Sequence, residues 1–419
     1  MLSHSLPRWS LKLGILLVLI IALAACATSA PPAPPQSAPP AATQAVAATQ
    51  PAAATQAPSA ATQAPSANGG CPPITVANMQ GVPAGKWPQQ YELAEFEAAA
   101  NCKLTLTSRA QFDPKLKEIG FIKGDLAPVE QRLPEEPLVV VPSEEIGKYG
   151  GRARFASIGP ESGNSEFLSV RHVNLLRFLD DEKTIVPNMA KDFKWNDDFT
   201  EITFTLRKGH KWSDGEPFTA DDIVFWYNDI ILNPDLYKTP PSYWVYGGKP
   251  MQVEKVDDLN VKFKFAVPSP AFTTLIATTF THEWAPKHYM SKLLPKYNPN
   301  ADAEAKAAGF DDWIKQFFAY YGEWEDSYHR TGIPKLESWV LVQETPEYQL
   351  FAANPSYFKV DTAGQQLPYL NEIYQSYAPD KELIELKIVN GEVDLKAQSL
   401  VIASLPLFQQ NKDKGNYEI

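Results

Sequence analysis

Charge is missing from a long stretch of this 419-residue chain. No acidic or basic side chain lies between Lys12 and Lys86, and every Asp and Glu falls after Lys86. Positive charge is also short overall, with 38 Lys and Arg against 49 Asp and Glu for a formal net charge of −11. That balance argues against a nucleic-acid binder, because neutralising phosphates takes a surplus of Lys and Arg. Three cysteines are too few to build a disulfide scaffold. Local enzyme signatures are absent as well. His282-Glu283 opens like a zinc-protease motif, but Pro286 stands where the second His belongs and would break the aligning helix. Ser162 does not sit in a GxSxG elbow. Gly81–Lys86 is one residue short of a phosphate-binding loop and runs into Trp87. Asn298–Asp302 begins like a calcium loop, but Ala303 occupies the place of the required Gly. These readings leave no catalytic residue, no metal site and no cofactor.

The uncharged stretch has two parts. Residues 1–25 carry Arg8 and Lys12 and then the apolar run Leu13–Ala25, which is shorter than the ~20 residues needed to span a bilayer. A basic start, a short apolar core and small residues make a secretory signal. Its end, Leu23-Ala24-Ala25-Cys26, resembles the bacterial lipobox, which implies acylation of Cys26 and a membrane anchor. Residues 26–70 repeat AATQ and TQAPSA between prolines, with no charge and no aromatic. Such a composition cannot bury enough apolar surface to offset chain entropy, so a disordered tether is expected. The expected location is extracytoplasmic, in a periplasmic space or on the outer cell surface. Cys71 and Cys102 remain. Export favours a disulfide between them, contributing roughly 3 kcal/mol, with two unpaired thiols as the alternative.

Residues 71–148 read as an N-terminal extension without a clear sheet pattern. Gln90–Ala100 favours a short helix, and the proline-broken Val129–Val141 an extended run along a surface. From Gly150 the patterning sharpens. Arg152–Ile158 alternates and breaks at Gly159-Pro160, predicting a strand that enters a loop. Glu201–Arg207 alternates strictly, with Ile202, Phe204 and Leu206 on one face, as a half-buried strand does. Asp214-Gly215 marks a turn, and Thr219 with Asp222 forms a capping box. Ile223, Trp226, Tyr227 and Ile230 then recur at helical spacing. Val261, Phe263 and Phe265 mark another strand. Strands and helices mix without the regular beat of a Rossmann sheet. The chain holds 10 Trp, 17 Tyr and 21 Phe. Most belong in a core, but Tyr243, Trp244 and Tyr246 lie between proline and glycine breaks, where side chains often face a cleft.

Phe204–Phe225 (FTLRKGHKWSDGEPFTADDIVF) resembles the signature of the family 5 extracellular solute-binding proteins, the peptide- and nickel-binding components of ABC importers. Asn354–Asp361 (NPSYFKVD), continuing through Gly364 and Leu367-Pro-Tyr-Leu370, is a second match. Gly391-Glu-Val-Asp-Leu395 is a third, and the resemblance covers about residues 150–395. The matched blocks themselves look architectural: a hairpin end, a turn and a helix start.

The resemblance implies an α/β, two-lobed fold of the type II periplasmic-binding-protein kind. It implies non-covalent capture of an oligopeptide or similar small solute by lobe closure, without a reaction. The partners implied are a membrane permease and its ATPase, with the binding protein itself a monomer. Relatives of this kind take nickel, sugars or opines as well, although six histidines argue weakly against nickel. The exit loop of the first strand approaches the cleft in this family. Ser157, Gly159, Ser162 and Asn164 are therefore the first contact candidates, with Tyr243, Trp244 and Tyr246 behind them. The expected organisation is lobe I over residues 149–375, with an inserted subdomain at about 195–325, and the start of lobe II over 376–419. Family members generally run much further, so the chain reads as truncated, and Val389, Leu395, Leu400, Val401 and Ile402 are expected to lack packing partners. A surface adhesion or scaffolding lipoprotein is the alternative class, and an exported hydrolase a more distant one.

Overall fold

The computed structural model describes residues 70–159, 166–170, 173–278, 284–321, 331–397 and 400–419. Cys26, Ser162, Asn164 and the His282-Glu283 pair lie outside the described residues. All described residues belong to one contact unit, Thr62–Ile419.

Three sheets organise it. The first runs in the order Gln252–Lys255, Asn260–Lys264, Glu201–Leu206, Ala190–Trp195, antiparallel throughout. Ile202, Phe204 and Leu206 are buried as their alternation predicts, beside Val253, Val261 and Phe263. The helix Ala220–Phe225 covers this face. It starts where Thr219 accepts from the Asp221 amide (3.3 Å) and Asp222 accepts from the Thr219 amide (2.9 Å), which satisfies amides the first turn leaves orphaned. It continues into a π-helical turn, Trp226–Ile231, and the predicted stripe of Ile223, Trp226, Tyr227 and Ile230 is wholly buried.

The second sheet has the order Trp339–Glu344, Tyr348–Ala353, Leu370–Tyr377, Gly150–Ser157. Its first three strands are antiparallel neighbours, and the last pair is parallel. The third sheet joins Gln90–Glu92, Leu138–Val140 and Lys359–Asp361. Here the structure departs from the sequence reading. Val129–Arg132 is a helical turn, and Leu138–Val140 is a central strand with Leu138 and Val139 fully buried, not a surface run. Strands of three residues are too short to display a period of two, so nothing in the local pattern marks them. Cys71 and Cys102 are joined by a disulfide within the same region.

Residues 71–148 are stitched to the rest by buried arginines. Arg207 lies at the end of the signature strand, its side chain wholly buried. It forks onto Glu92 (2.6 and 3.0 Å) and donates to the carbonyls of Asn188 (3.1 Å), Ala190 (3.2 Å) and Glu136 (3.3 Å). All five guanidinium hydrogens are thereby used. Arg132 donates to the carbonyls of Ala127 (2.9 Å) and Pro355 and to Gln366 Oε1 (3.0 Å). Gln366 in turn donates to the carbonyls of Pro355 (3.0 Å) and Tyr357 (3.1 Å). The second family match is therefore a clamp between the N-terminal region and the second sheet.

His210, three residues beyond Arg207, is fully buried between the rings of Phe218 (5.3 Å) and Phe358 (4.9 Å), and neither ring nitrogen has a partner among the described residues. Burial first, and Arg207 second, push it down from 6.5 to about 3. It is neutral when folded, whereas the unfolded chain binds a proton below pH 6.5. Stability is therefore intact above that pH and falls as the pH drops towards 3, by about 1.4 kcal/mol per unit. Urea unfolding across this window should show a flatter pH dependence for His210→Leu than for the wild type; parallel curves would contradict the assignment. Glu92→Ala strands a buried guanidinium and should cost about 3 kcal/mol. Glu135→Ala, which removes an exposed pair with Lys208 (2.8 Å) in the same region, should cost under about 1 kcal/mol. Equal losses in the two unfolding curves would refute the stitching role of Arg207.

Candidate functional site

Ligands of open α/β sheets gather outside the carboxyl ends of parallel strands. In the second sheet that edge is where Ser157 pairs with Tyr377. Ser157 is buried, and its hydroxyl donates to the Gly159 carbonyl (2.7 Å), while its own carbonyl accepts from the Ala378 amide (2.9 Å). Beyond the exit loop, Glu166 is fully buried and forms an ion pair with Lys396, whose side chain is only 5% exposed. Its second oxygen accepts from the Ala397 amide (2.8 Å). The Phe167 amide donates to Gln375 (3.4 Å), Gln375 donates to Gln349 (3.1 Å), and Gln349 donates to Glu344 (3.1 Å). A buried ion pair and a chain of buried amides thus meet at one edge, where low polarity strengthens each bond.

The third family match reaches the same edge. Asp394 accepts from the Arg154 amide (2.6 Å) and guanidinium (2.5 Å), while its own amide donates to the Arg154 carbonyl (2.8 Å). Burial raises the Asp394 carboxyl, but the Arg154 hydrogen bonds outweigh it and hold the group below its ordinary range. Residues 394–397 are therefore tied both to the first strand and to its exit loop.

Of the contact candidates, Ser157 and Gly159 stand at this edge, both buried, with the Ser157 hydroxyl spent on the local turn. Trp244 requires a correction. It is 1% exposed and packs edge-on against Trp226 (5.2 Å) and Tyr243 (5.0 Å). Pro241 starts a 3-10 turn over Ser242–Trp244, closed by the Trp244 amide on the Pro241 carbonyl (3.0 Å). That turn directs the indole into the core of the first sheet. Tyr243 packs against the same core, and Tyr246 lies against Phe265 (4.8 Å), its hydroxyl pushed up to about 12 by burial. Trp244 is therefore core, while Tyr243 and Tyr246 are half-buried against that core. Sequence reasoning missed Glu166, Lys396, Gln375 and Gln349. Only Glu166 stood in a segment marked as a loop, and its partner is 230 residues away.

Val389 also differs from expectation. It is buried with Ala156, Ala378, Ile384, Ile388 and Phe408. Leu395, Leu400, Val401 and Ile402 are exposed. His288 Nε2 lies 2.9 Å from Asp214, and among the described residues no three His, Cys, Asp or Glu side chains cluster to hold a metal.

Comparison with known proteins agrees with this architecture. The profile of the bacterial extracellular solute-binding proteins, family 5 middle region, matches residues 184–419, more than half of the chain. A periplasmic α-galactoside-binding protein of Rhizobium meliloti (strain 1021) is 31% identical over 290 residues, covering 62% of this chain and 38% of that one. An oligopeptide-binding protein OppA is similar in structure, with a TM-score of 0.67 and 33% identity over 78% of this chain and 51% of that one. The binding protein MelB of Agrobacterium fabrum C58, solved with stachyose, gives a TM-score of 0.53 at 28% identity over 70% of this chain and 44% of that one. The chain thus spans about half or less of the length of these relatives.

Trp244→Ala should lower stability by about 3–5 kcal/mol, as expected for emptying a core indole site. Its effect should appear in the unfolding midpoint and not in solute affinity measured where the variant is folded. An unshifted midpoint would return Trp244 to the surface.

Proposed function

Because the chain belongs to the bacterial extracellular solute-binding proteins of family 5, we propose that it receives an oligopeptide at the carboxyl edge of the Gly150–Ser157 and Leu370–Tyr377 pair and delivers it to an ABC permease and its ATPase. The family consists of solute binders, not enzymes. The observation that carries the reading is the buried polar edge itself: Glu166 with Lys396, and the Gln375–Gln349 chain behind them. A dry, already hydrogen-bonded wall loses little order when a polar solute is enclosed against it, which is the condition for tight non-covalent capture. The exit loop between Gly159 and Glu166, with Ser162 and Asn164, supplies the flanking contacts. Capture is reversible and no bond is broken.

In this reading the protein is exported, held to the membrane through acylated Cys26 on the residue 26–70 tether, and works as a monomer. Lobe I comprises residues 149–375, and residues 376–419 begin lobe II. The N-terminal region serves as a structural part of lobe I.

A second solute class has its own support. The α-galactoside-binding relative and the stachyose-bound neighbour lend support to oligosaccharides as an alternative to peptides. Calorimetric titration of the whole chain with a series of tri- to octapeptides, and separately with raffinose and stachyose, separates the two. Saturable peptide binding with unchanged peptide recovered afterwards is expected. Saturation only by the oligosaccharides would replace the peptide reading, and steady product formation would end the binding-protein reading altogether.

A further inference from the structure

At the opposite end of the second sheet, roughly 20 Å along the Leu370–Tyr377 strand from its carboxyl edge, a cavity of about 200 Å³ opens beside Arg109. This is several times the roughly 30 Å³ share of one water. Its wall includes Gln111, Phe112, Asp113, Asn371 and Glu372. Arg109 is 7% exposed, and all its acceptors are neutral: the carbonyls of Pro368 and Leu370 (3.2 Å) and Asn371 Oδ1 (2.8 Å). Arg132, equally buried, also meets only neutral acceptors, and both guanidiniums stand 5.2 Å from the Phe112 ring. Two buried cations therefore share one aromatic ring, and among the described residues neither has a carboxylate within salt-bridge reach. Buried charge of this kind favours an anionic group where solvent space adjoins it.

The remaining walls carry unspent polar groups of both kinds. Asn371 uses its carbonyl oxygen on Arg109, and its amide nitrogen has no acceptor among the described residues. Asp113 accepts from the Lys115 amide (2.8 Å) through Oδ1 alone. Glu372 meets Arg152 (2.5 Å) through Oε2 alone. Each carboxylate keeps one oxygen without a partner among the described residues. The cavity thus combines a guanidinium and an amide donor with two such carboxylate oxygens and an apolar ring.

We propose that this cavity is a second, small-solute site for a zwitterion of the α-amino-acid class. The carboxylate would lie towards Arg109 and Asn371, and the ammonium towards Asp113 and Glu372. The site is separate from the carboxyl edge and does not rest on the peptide reading.

The test is an NMR titration of the whole chain with glycine, acetate or methylamine, read at the side-chain amides of Gln111 and Asn371. Glycine should bind about tenfold more tightly than either single-charge probe, the gain expected from one additional charge-assisted hydrogen bond. Asp113→Asn retains the Oδ1 acceptor that caps Lys115, so it should fold normally. It should weaken glycine about tenfold while leaving acetate unaffected. The glycine shifts should persist in protein saturated with whichever peptide or oligosaccharide binds. Absence of saturable shifts at those two amides, or glycine binding unchanged by Asp113→Asn, would overturn the proposal.

Discussion

The fold depends on a positive charge being held away from water. A guanidinium removed from solvent costs several kcal/mol and is tolerated only when its donors are met. Arg207 meets that condition with acceptors that no single segment could supply: Glu92 and Glu136 from the N-terminal region, and the carbonyls of Asn188 and Ala190 from the edge of the first sheet. The third sheet, with its three-residue strands, brings those acceptors together. The N-terminal region is consequently a component of the body, although its own core is small. The same charge adds to the effect of burial on its neighbours. His210 is kept neutral by burial first and by Arg207 second. Lys359 retains part of its surface, but burial, followed by Arg177 and Arg207, holds its amine well below the ordinary lysine range. Two hydrogen-bonded guanidiniums, Arg207 and Arg177, are accommodated at this junction, and burial beside them disfavours the charged forms of His210 and Lys359.

What the sequence revealed follows from the range of the interactions concerned. The Glu201–Leu206 strand, the Thr219 capping box and the Ile223–Ile230 stripe are set by residues within a few positions of one another, and all three are present as read. The π-helical turn at Trp226 left the stripe intact, because Trp226, Tyr227, Ile230 and Ile231 all still reach the core. Trp244 was misread because proline and glycine breaks mark a change of direction without saying which side faces the core. The 3-10 turn after Pro241 turned the indole inward. Glu166 and Lys396 are a pair separated by 230 residues, and no local pattern can show which distant charge will meet a buried acid.

The residues that identify the family are also distinct from those proposed to choose a solute. The Asp214-Gly215 turn, with Gly215 at φ +89°, and the Thr219 cap close a hairpin and start a helix. Asn354 and Gln366 hold carbonyls of the crossing loops. These roles demand particular side chains whatever solute is bound, because a lost cap or an unsatisfied buried amide costs the same in every member. In the reading proposed above, recognition falls to loop residues at the carboxyl edge, where exchange of protein–water for protein–solute hydrogen bonds leaves many side-chain solutions open. Family membership was therefore legible from the chain, while the choice between peptide and oligosaccharide was not.

The two ion pairs at that edge differ in kind, and the difference bears on motion. Arg154 and Asp394 are each partly exposed, and their attachment is reinforced by two backbone hydrogen bonds, so residue 394 follows the first strand. Glu166 and Lys396 are buried, and separating them would leave a dry, unpaired charge on each side. Breaking the exposed pair costs little, whereas breaking the buried pair costs several kcal/mol. Residues 394–397 and the start of the segment after the exit loop are therefore expected to move as one piece with the parallel strands. Any displacement that admits a solute must be taken up elsewhere, where no buried charge has to be uncovered.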